Sequence, residues 1–387
     1  VNKLLISMSL PMMISMLVQA LYNIVDSVFV AMLSENALTA VSMAFPLQTL
    51  LIAVGAGTGV GMNALLSKSL GEKNFEKANR TASNAAFLYG LSYLVFLILG
   101  FTVVKPFYAS QVHNADPEIL KFGVEYLSTV MMFSFGLLGQ FFFERLLTST
   151  GKTIFSMTSQ LCGAITNIIL DPILIFGLGL GVQGAALATI ISQALSALWV
   201  LRFLSGPRTQ LKLRRENLHI RWKTYLPCMA LGMSPFVMQS TEGLISICFN
   251  SSLLKYGGDI AVGSMTILSS VMQFSMLPLQ GLSQGAQPIV SFNYGAGNAD
   301  RVKKAFFFLL KACLAYSTLL WGISVFRPQL FISIFTSDPE LTTFTIWSLR
   351  IYMAMSLIFG AQIACQQTFV ALGNAKTSLF LAVLRKI

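Results

Sequence analysis

Leu70-Gly71-Glu72-Lys73-Asn74-Phe75-Glu76-Lys77 is a charged break between two apolar runs, one near residues 38–67 and the other near 82–104. A hydrocarbon core of about 30 Å needs roughly 20 apolar residues per helix. Both runs are long enough to span, so the octet reads as a tight turn at one membrane face. The pattern returns as Tyr294-Gly295-Ala296-Gly297-Asn298-Ala299-Asp300-Arg301, 224 residues on. At the same spacing Gly57, Gly61 and Gly71 recur as Gly281, Gly285 and Gly295, and Pro11 as Pro235. Asp116-Pro117-Glu118 is answered by Asp338-Pro339-Glu340, Gln140 by Gln362 and Gly151 by Gly373, now 222 apart. The chain reads as a tandem duplication.

Working outward, further apolar runs lie near 5–33, 119–147, 154–177, 184–205, 225–254, 262–291, 305–326 and 344–371, and an eleventh begins near 376. Of the 387 residues 55% are hydrophobic and only 11% charged. A soluble domain is nearer a quarter charged, which excludes a soluble globular enzyme and a disordered chain. Six spans separate repeat mates, so each mate falls on the same face and the repeat is parallel, about an axis along the membrane normal. The predicted fold is an all-α polytopic membrane protein of two pseudo-symmetric six-helix bundles, the second incomplete. The expected division is 1–205 for the amino-terminal lobe, 206–224 for a linker loop and 225–387 for helices 7–10 and part of 11. The second half lacks mates for most of helix 5 and all of helix 6, and the sequence is read as a fragment.

The net charge of +11 could suggest nucleic acid, but the basic residues sit in short stretches between apolar runs. Lys68, Lys73, Lys77 and Arg80 lie on one side with the basic 206–224 loop; Lys105, Lys121, Lys255 and Arg327 lie on the other. The positive-inside rule then places the amino terminus and that loop in the cytoplasm, in a multi-pass protein of the cytoplasmic (inner) membrane. Cys162, Cys228, Cys248, Cys313 and Cys365 stand singly in apolar runs, so no disulfide framework or zinc site is expected. His113 and His219 fall in predicted loops. With no nucleophile–base constellation or phosphate loop, no enzyme and no cofactor is expected.

An ionisable group at bilayer depth is costly and is a functional candidate by default. Asp26, Glu144, Asp171 and Glu242 qualify. Asn167 precedes Asp171 by one turn and shares its face. Pro172 follows, and a proline within a helix frees a backbone carbonyl, here that of Ile168. Carboxylate, amide and backbone oxygens together suit a small hard cation such as Na+, and the carboxylate alone suits a proton. Gly184-Ala185-Ala186-Leu187-Ala188-Thr189 lets helices approach closely, and Thr189 can offer a hydroxyl across the gap. Tyr22, Asn23 and Asp26 form a polar group in the first helix, where Pro11 provides a bend. Glu144 and Arg145 are expected to reach water at the cytoplasmic end as a structural or gating pair.

Ser9-Leu10-Pro11 with Gln19-Ala20-Leu21-Tyr22-Asn23-Ile24-Val25-Asp26-Ser27 resembles the first helix of multidrug and toxic compound extrusion (MATE) transporters. Asn167-Ile168-Ile169-Leu170-Asp171-Pro172, Gly181 to Thr189, Gly295-Ala296-Gly297-Asn298 and Ala371 to Lys376 are also similar to that family, nearest its MepA-like bacterial branch. The resemblance implies twelve helices in two lobes around a V-shaped cavity, and efflux of cationic or amphipathic drugs by alternating access against Na+ or H+. It also implies a cation or proton site at Asp26, Asn167, Asp171 and Thr189, the set the polarity argument reaches. Tyr22, Asn23, Gln140 and Glu242 would support it, and Pro11, Pro172 and Pro235 would be bends. The acid that some branches carry on helix 10 has no counterpart, because 345–371 holds Arg350 but no Asp or Glu.

The expected function is a secondary antiporter, acting as a monomer in the lipid bilayer on small organic cations. A lipid-linked saccharide flippase, or a passive channel or scaffold, are the alternatives. The same carboxylates serve Na+ and H+, so the coupling ion stays open.

Overall fold

The computed structural model describes residues 1–111, 117–204, 211 and 222–384, so His113, His219, Asp116 and nearly all of the 206–224 loop lie outside the described residues. The first half comprises α1 (Asn2–Ala31), α2 (Glu35–Met43), α3 (Phe45–Gly71), α4 (Phe75–Thr102), α5 (Val104–Gln111), α6 (Pro117–Met132), α7 (Phe135–Ser149), α8 (Thr153–Pro172) and α9 (Gly181–Leu204). The second comprises α10 (Trp222–Gly295), α11 (Ala299–Phe326), α12 (Gln329–Ile332), α13 (Pro339–Tyr352), α14 (Ser356–Ala371) and α15 (Ala375–Leu384). α10 is two helices end to end, broken at Gly258 with φ 69°. Among the described residues, seven helices are long and apolar enough to cross a membrane; α6 with α7 and α13 with α14 make two further spans, bent by 43° and 45°. The runs expected at 119–147 and 344–371 are therefore each a broken span. The run expected at 38–67 takes in α2, a separate short helix capped by Ser34, whose hydroxyl accepts from Ala37 N–H at 3.0 Å.

The duplication is visible at single turns. Lys73 and Gly297, 224 apart, both adopt positive φ, 57° and 73°. Each lets the next asparagine close the helix behind it: Asn74 N–H donates to Ser69 O at 3.0 Å and Asn298 N–H to Asn293 O at 2.9 Å. Gly151 and Gly373 repeat the device with φ 81° and 82°, and Lys152 N–H and Asn374 N–H bond back to Leu147 O and Phe369 O, both at 2.9 Å. Left-handed residues after a helix satisfy its last carbonyls and reverse the chain tightly. The opening octet is such a reversal.

Packing follows the two halves. One core gathers Leu51, Met62, Leu66, Leu127, Leu138 and Ile175 from α3 to α9. A second gathers Leu279, Ile289, Leu309, Cys313 and Ala364 from α10, α11 and α14, and it takes in Leu5 and Met8 from the start of α1. The first helix thus begins in the second bundle's core and ends in the first bundle. Large apolar side chains such as Leu10, Leu17, Leu21, Ile24 and Val28 remain exposed along α1, as a lipid-facing helix requires.

Candidate functional site

α8 is inverted relative to a soluble helix. Asn167 and Asp171 are fully buried, while Ile165, Ile168 and Ile169 are exposed. Polar atoms face the bundle interior and hydrocarbon faces outward, the arrangement the membrane enforces. Asn167 Nδ2 donates to Asp171 Oδ1 at 3.4 Å, the one-turn contact expected from the spacing. After Pro172 the helix widens into a π-turn over Ile173–Gly177, closed by Leu178 N–H on Ile173 O at 2.9 Å. Gly184 of α9 lies against this turn: a Cβ there would stand 2.7 Å from Leu174 O, so only glycine admits α9 so closely.

α1 packs on α8 and brings Asp26, partly buried, into side-chain hydrogen-bonding reach of Asp171. Asp26 Oδ1, Asp171 Oδ2 and Asn167 Oδ1 are all buried without a protein donor. Buried acceptors are normally paired, so this group of oxygens is one that a proton or a small hard cation would satisfy. Three of the four residues expected at the cation site are therefore brought together. The fourth, Thr189, is partly buried on α9, and its hydroxyl donates back to Ala185 O at 3.1 Å.

Of the expected supporting residues, Tyr22 is one turn before Asp26, and its hydroxyl lies near the side chains of Gln19 and Gln193. Asn23 is exposed. Glu242 is exposed on α10 in the other half of the chain. Pro11 and Pro235 lie within α1 and α10 and end neither helix.

The expectation that Glu144 and Arg145 reach water fails: they are only 6% and 5% exposed. α7 is covered there by α8 and α3. Gln140 Nε2 donates to Glu144 Oε1 and Gln160 Nε2 to Oε2, each at 2.9 Å. Arg145 points elsewhere, towards Gly59 and the Tyr89 hydroxyl. The sequence reading passed over Gln160, Gln193 and Gln19 as partners. Their signal was available: long amides inside otherwise apolar spans.

A second polar feature lies where the bundles meet. Gly57 and Gly61 of α3 press on α10, and a Cβ at Gly57 would lie 2.7 Å from Gly232 O; one at Gly61 would collide with Cys228 O. Gly71 meets Phe292 O, and Gly295 in turn meets Lys68 O. Asn63 Nδ2 donates to Gln287 Oε1 at 3.0 Å, and Gln287 Nε2 donates to Val60 O at 3.0 Å, both fully within the protein. Asn63 and Gln287 are 224 residues apart, so each is the other's repeat mate and the pseudo-symmetry axis passes between them. This seam occupies the half of the molecule nearer the Gly71–Asn74 turn, whereas Asp26 and Asp171 lie towards the opposite ends of α1 and α8.

The family model described as MatE matches twice, over residues 11–173 and 214–386. The chain is 27% identical over 384 residues to the multidrug export protein MepA of Staphylococcus haemolyticus (strain JCSC1435), covering 98% of this chain and 84% of the relative. In fold it is similar to a MATE crystallised in complex with MaL6, with a TM-score of 0.92 and 23% identity over 100% of this chain and 86% of that one. It is likewise similar to the outward-facing conformation of a multidrug resistance MATE family transporter of the MOP superfamily, with a TM-score of 0.90 and 24% identity, again over 100% and 86%.

Proposed function

The chain belongs to the MatE family, and from that premise we propose that it is a secondary antiporter exporting cationic or amphipathic compounds in exchange for Na+ or H+. The observation that carries this reading is the Asp26–Asp171 contact beside Asn167, with unpaired oxygens inside the first bundle. Two carboxylates in a low-dielectric interior repel strongly. A proton or cation between them removes the repulsion and draws α1 onto α8, and its departure loosens that packing. A ligand shifts a conformational equilibrium only through different affinities for the two states, and a site whose two halves sit on different helices has that property.

The moving boundary in this reading is the seam between α3 and α10. Its glycines allow backbone contact without interlocking side chains, and its Asn63–Gln287 bond exchanges readily with water when the bundles part. The basic residues clustered beside that seam support a cytoplasmic side for it, and a seam closed on that side fits the outward-facing half of the proposed cycle. The export substrate is drawn from the family and from the name of its staphylococcal relative; a monomer in the cytoplasmic membrane suffices for the mechanism. Efflux of a fluorescent organic cation from proteoliposomes, driven by a Na+ or a proton gradient, tests the proposal. Asp171→Asn is expected to insert normally and to lose gradient-driven efflux; wild-type efflux by that variant overturns the proposal.

A further inference from the structure

Glu144 is a buried acid that the Asp26–Asp171 reading leaves without a task. Both its oxygens accept amide N–H groups, from Gln140 on its own helix and Gln160 on α8. The titratable and charged groups around it are Tyr22 from α1, Tyr89 from α4 and Arg145 on α7. Arg145 makes no ion pair with it; the guanidinium lies against Gly59, and its Nη1 is buried without a partner.

The duplication supplies an internal control. At the mate of Glu144, 222 residues on, stands Gln366, and at the mate of Gln140 stands Gln362. Gln362 Nε2 donates to Gln366 Oε1, reproducing the Gln140–Glu144 contact in the second bundle. Gln366 is also buried, and its own amide reaches Ser234 Oγ at 2.7 Å. The frame is thus built at this position with a neutral amide. Burying a carboxylate instead costs free energy, and the fold alone does not call for it.

We infer that Glu144 is a second small-cation site of the first bundle, taking up a proton or Na+ in step with the Asp26–Asp171 pair. This rests on the antiporter reading. The site is too enclosed for an organic cation, so the ligand is a small one. A proton would add to one carboxylate oxygen, and the glutamine donating there would turn its amide to present the carbonyl, since glutamine is donor at one end and acceptor at the other. Na+ would take the carboxylate together with the two amide carbonyls, an all-oxygen set. Tyr22, one turn from Asp26, lies in the same neighbourhood as Glu144 and stands between the two sites.

Dicyclohexylcarbodiimide, which modifies protonated carboxyls in apolar surroundings, is the probe. In the wild-type protein, peptide-resolved mass analysis is expected to find label on Glu144 that falls at least tenfold as pH is raised; a further fall on adding Na+ at fixed pH marks Na+ as a ligand, and pH protection alone marks the proton. No label on Glu144, or label indifferent to both, overturns the inference. Glu144→Gln in proteoliposomes is expected to make efflux depend less steeply on the coupling cation; unchanged steepness and half-saturation also overturn it. Retention of efflux by Asp171→Asn would instead sink the antiporter reading, so the two failures are distinguishable.

Discussion

The two bundles share a backbone and differ in charge. In the first, Asp26 and Asp171 meet on α1 and α8, and Glu144 is buried between two glutamines. In the second, Asn250 stands at the repeat position of Asp26, Gln366 at that of Glu144 and Ala382 at that of Gln160. Around Gln366 the polar groups are neutral: Ser378 Oγ donates to Ser234 Oγ at 2.9 Å, and Gln366 Nε2 also reaches Met238 Sδ at 2.9 Å. The turns, by contrast, agree to within a few degrees of φ at Gly151 and Gly373. Geometry has been kept twice and charge once. Structural needs are met by amides and hydroxyls, and among the described residues the fully or nearly fully buried acids, Glu144 and Asp171, lie in the bundle that holds the proposed coupling site.

The largest expected effect falls on the charged side. Asp26→Asn should reduce gradient-driven efflux in proteoliposomes to the level of empty vesicles, while insertion and thermal unfolding stay near wild type. Substantial remaining efflux would mean that the bundles do not differ in the way described. Next in size is an exchange of chemistry between mates. Gln366→Glu buries a carboxylate without the second amide donor that Gln160 gives Glu144, and it should lose about 3 kcal/mol of stability, whereas Glu144→Gln should lose less than about 1 kcal/mol. Equal losses in thermal unfolding would break the comparison.

The seam gives smaller effects. Gly61→Val sets a side chain against a backbone carbonyl that cannot rotate away, at a cost of about 2 kcal/mol to the closed seam. Labelling of Cys228, now 5% exposed at that contact, by a maleimide should rise as the closed state loses population; an unchanged rate would show that the seam is not the moving boundary. Smallest is the axis pair: a double-mutant cycle of Asn63→Ala and Gln287→Ala should show a coupling of about 1 kcal/mol in that same labelling equilibrium. Additive effects would remove the pair from the closure.

Much of this was legible in the residues, for a physical reason. A bilayer leaves no water for backbone groups, so span length and charge placement encode helices directly. Gly71 to Asn74 and its mate at 295–298 announced the repeat, and both are the tight reversals expected. Asp171 with Asn167 was readable because one helical turn fixes their common face. Less legible was where Asn23 and Thr189 point: Asn23 is exposed, and the Thr189 hydroxyl donates to Ala185 O of its own helix. Glu144 and Arg145 were misplaced because apolar length measures depth along one helix and says nothing of what covers it.

From sequence alone came the membrane class, the doubled frame, the sparse acids and the places of the tight turns, since these depend on local composition and on spacing along one chain. Tertiary structure alone decided that Asp26 touches Asp171, that two glutamines enclose Glu144, and that Asn63 meets its own repeat mate Gln287. Those contacts join residues far apart in the chain, and they form only when helices choose their neighbours and rotations by packing, which no one-dimensional periodicity specifies.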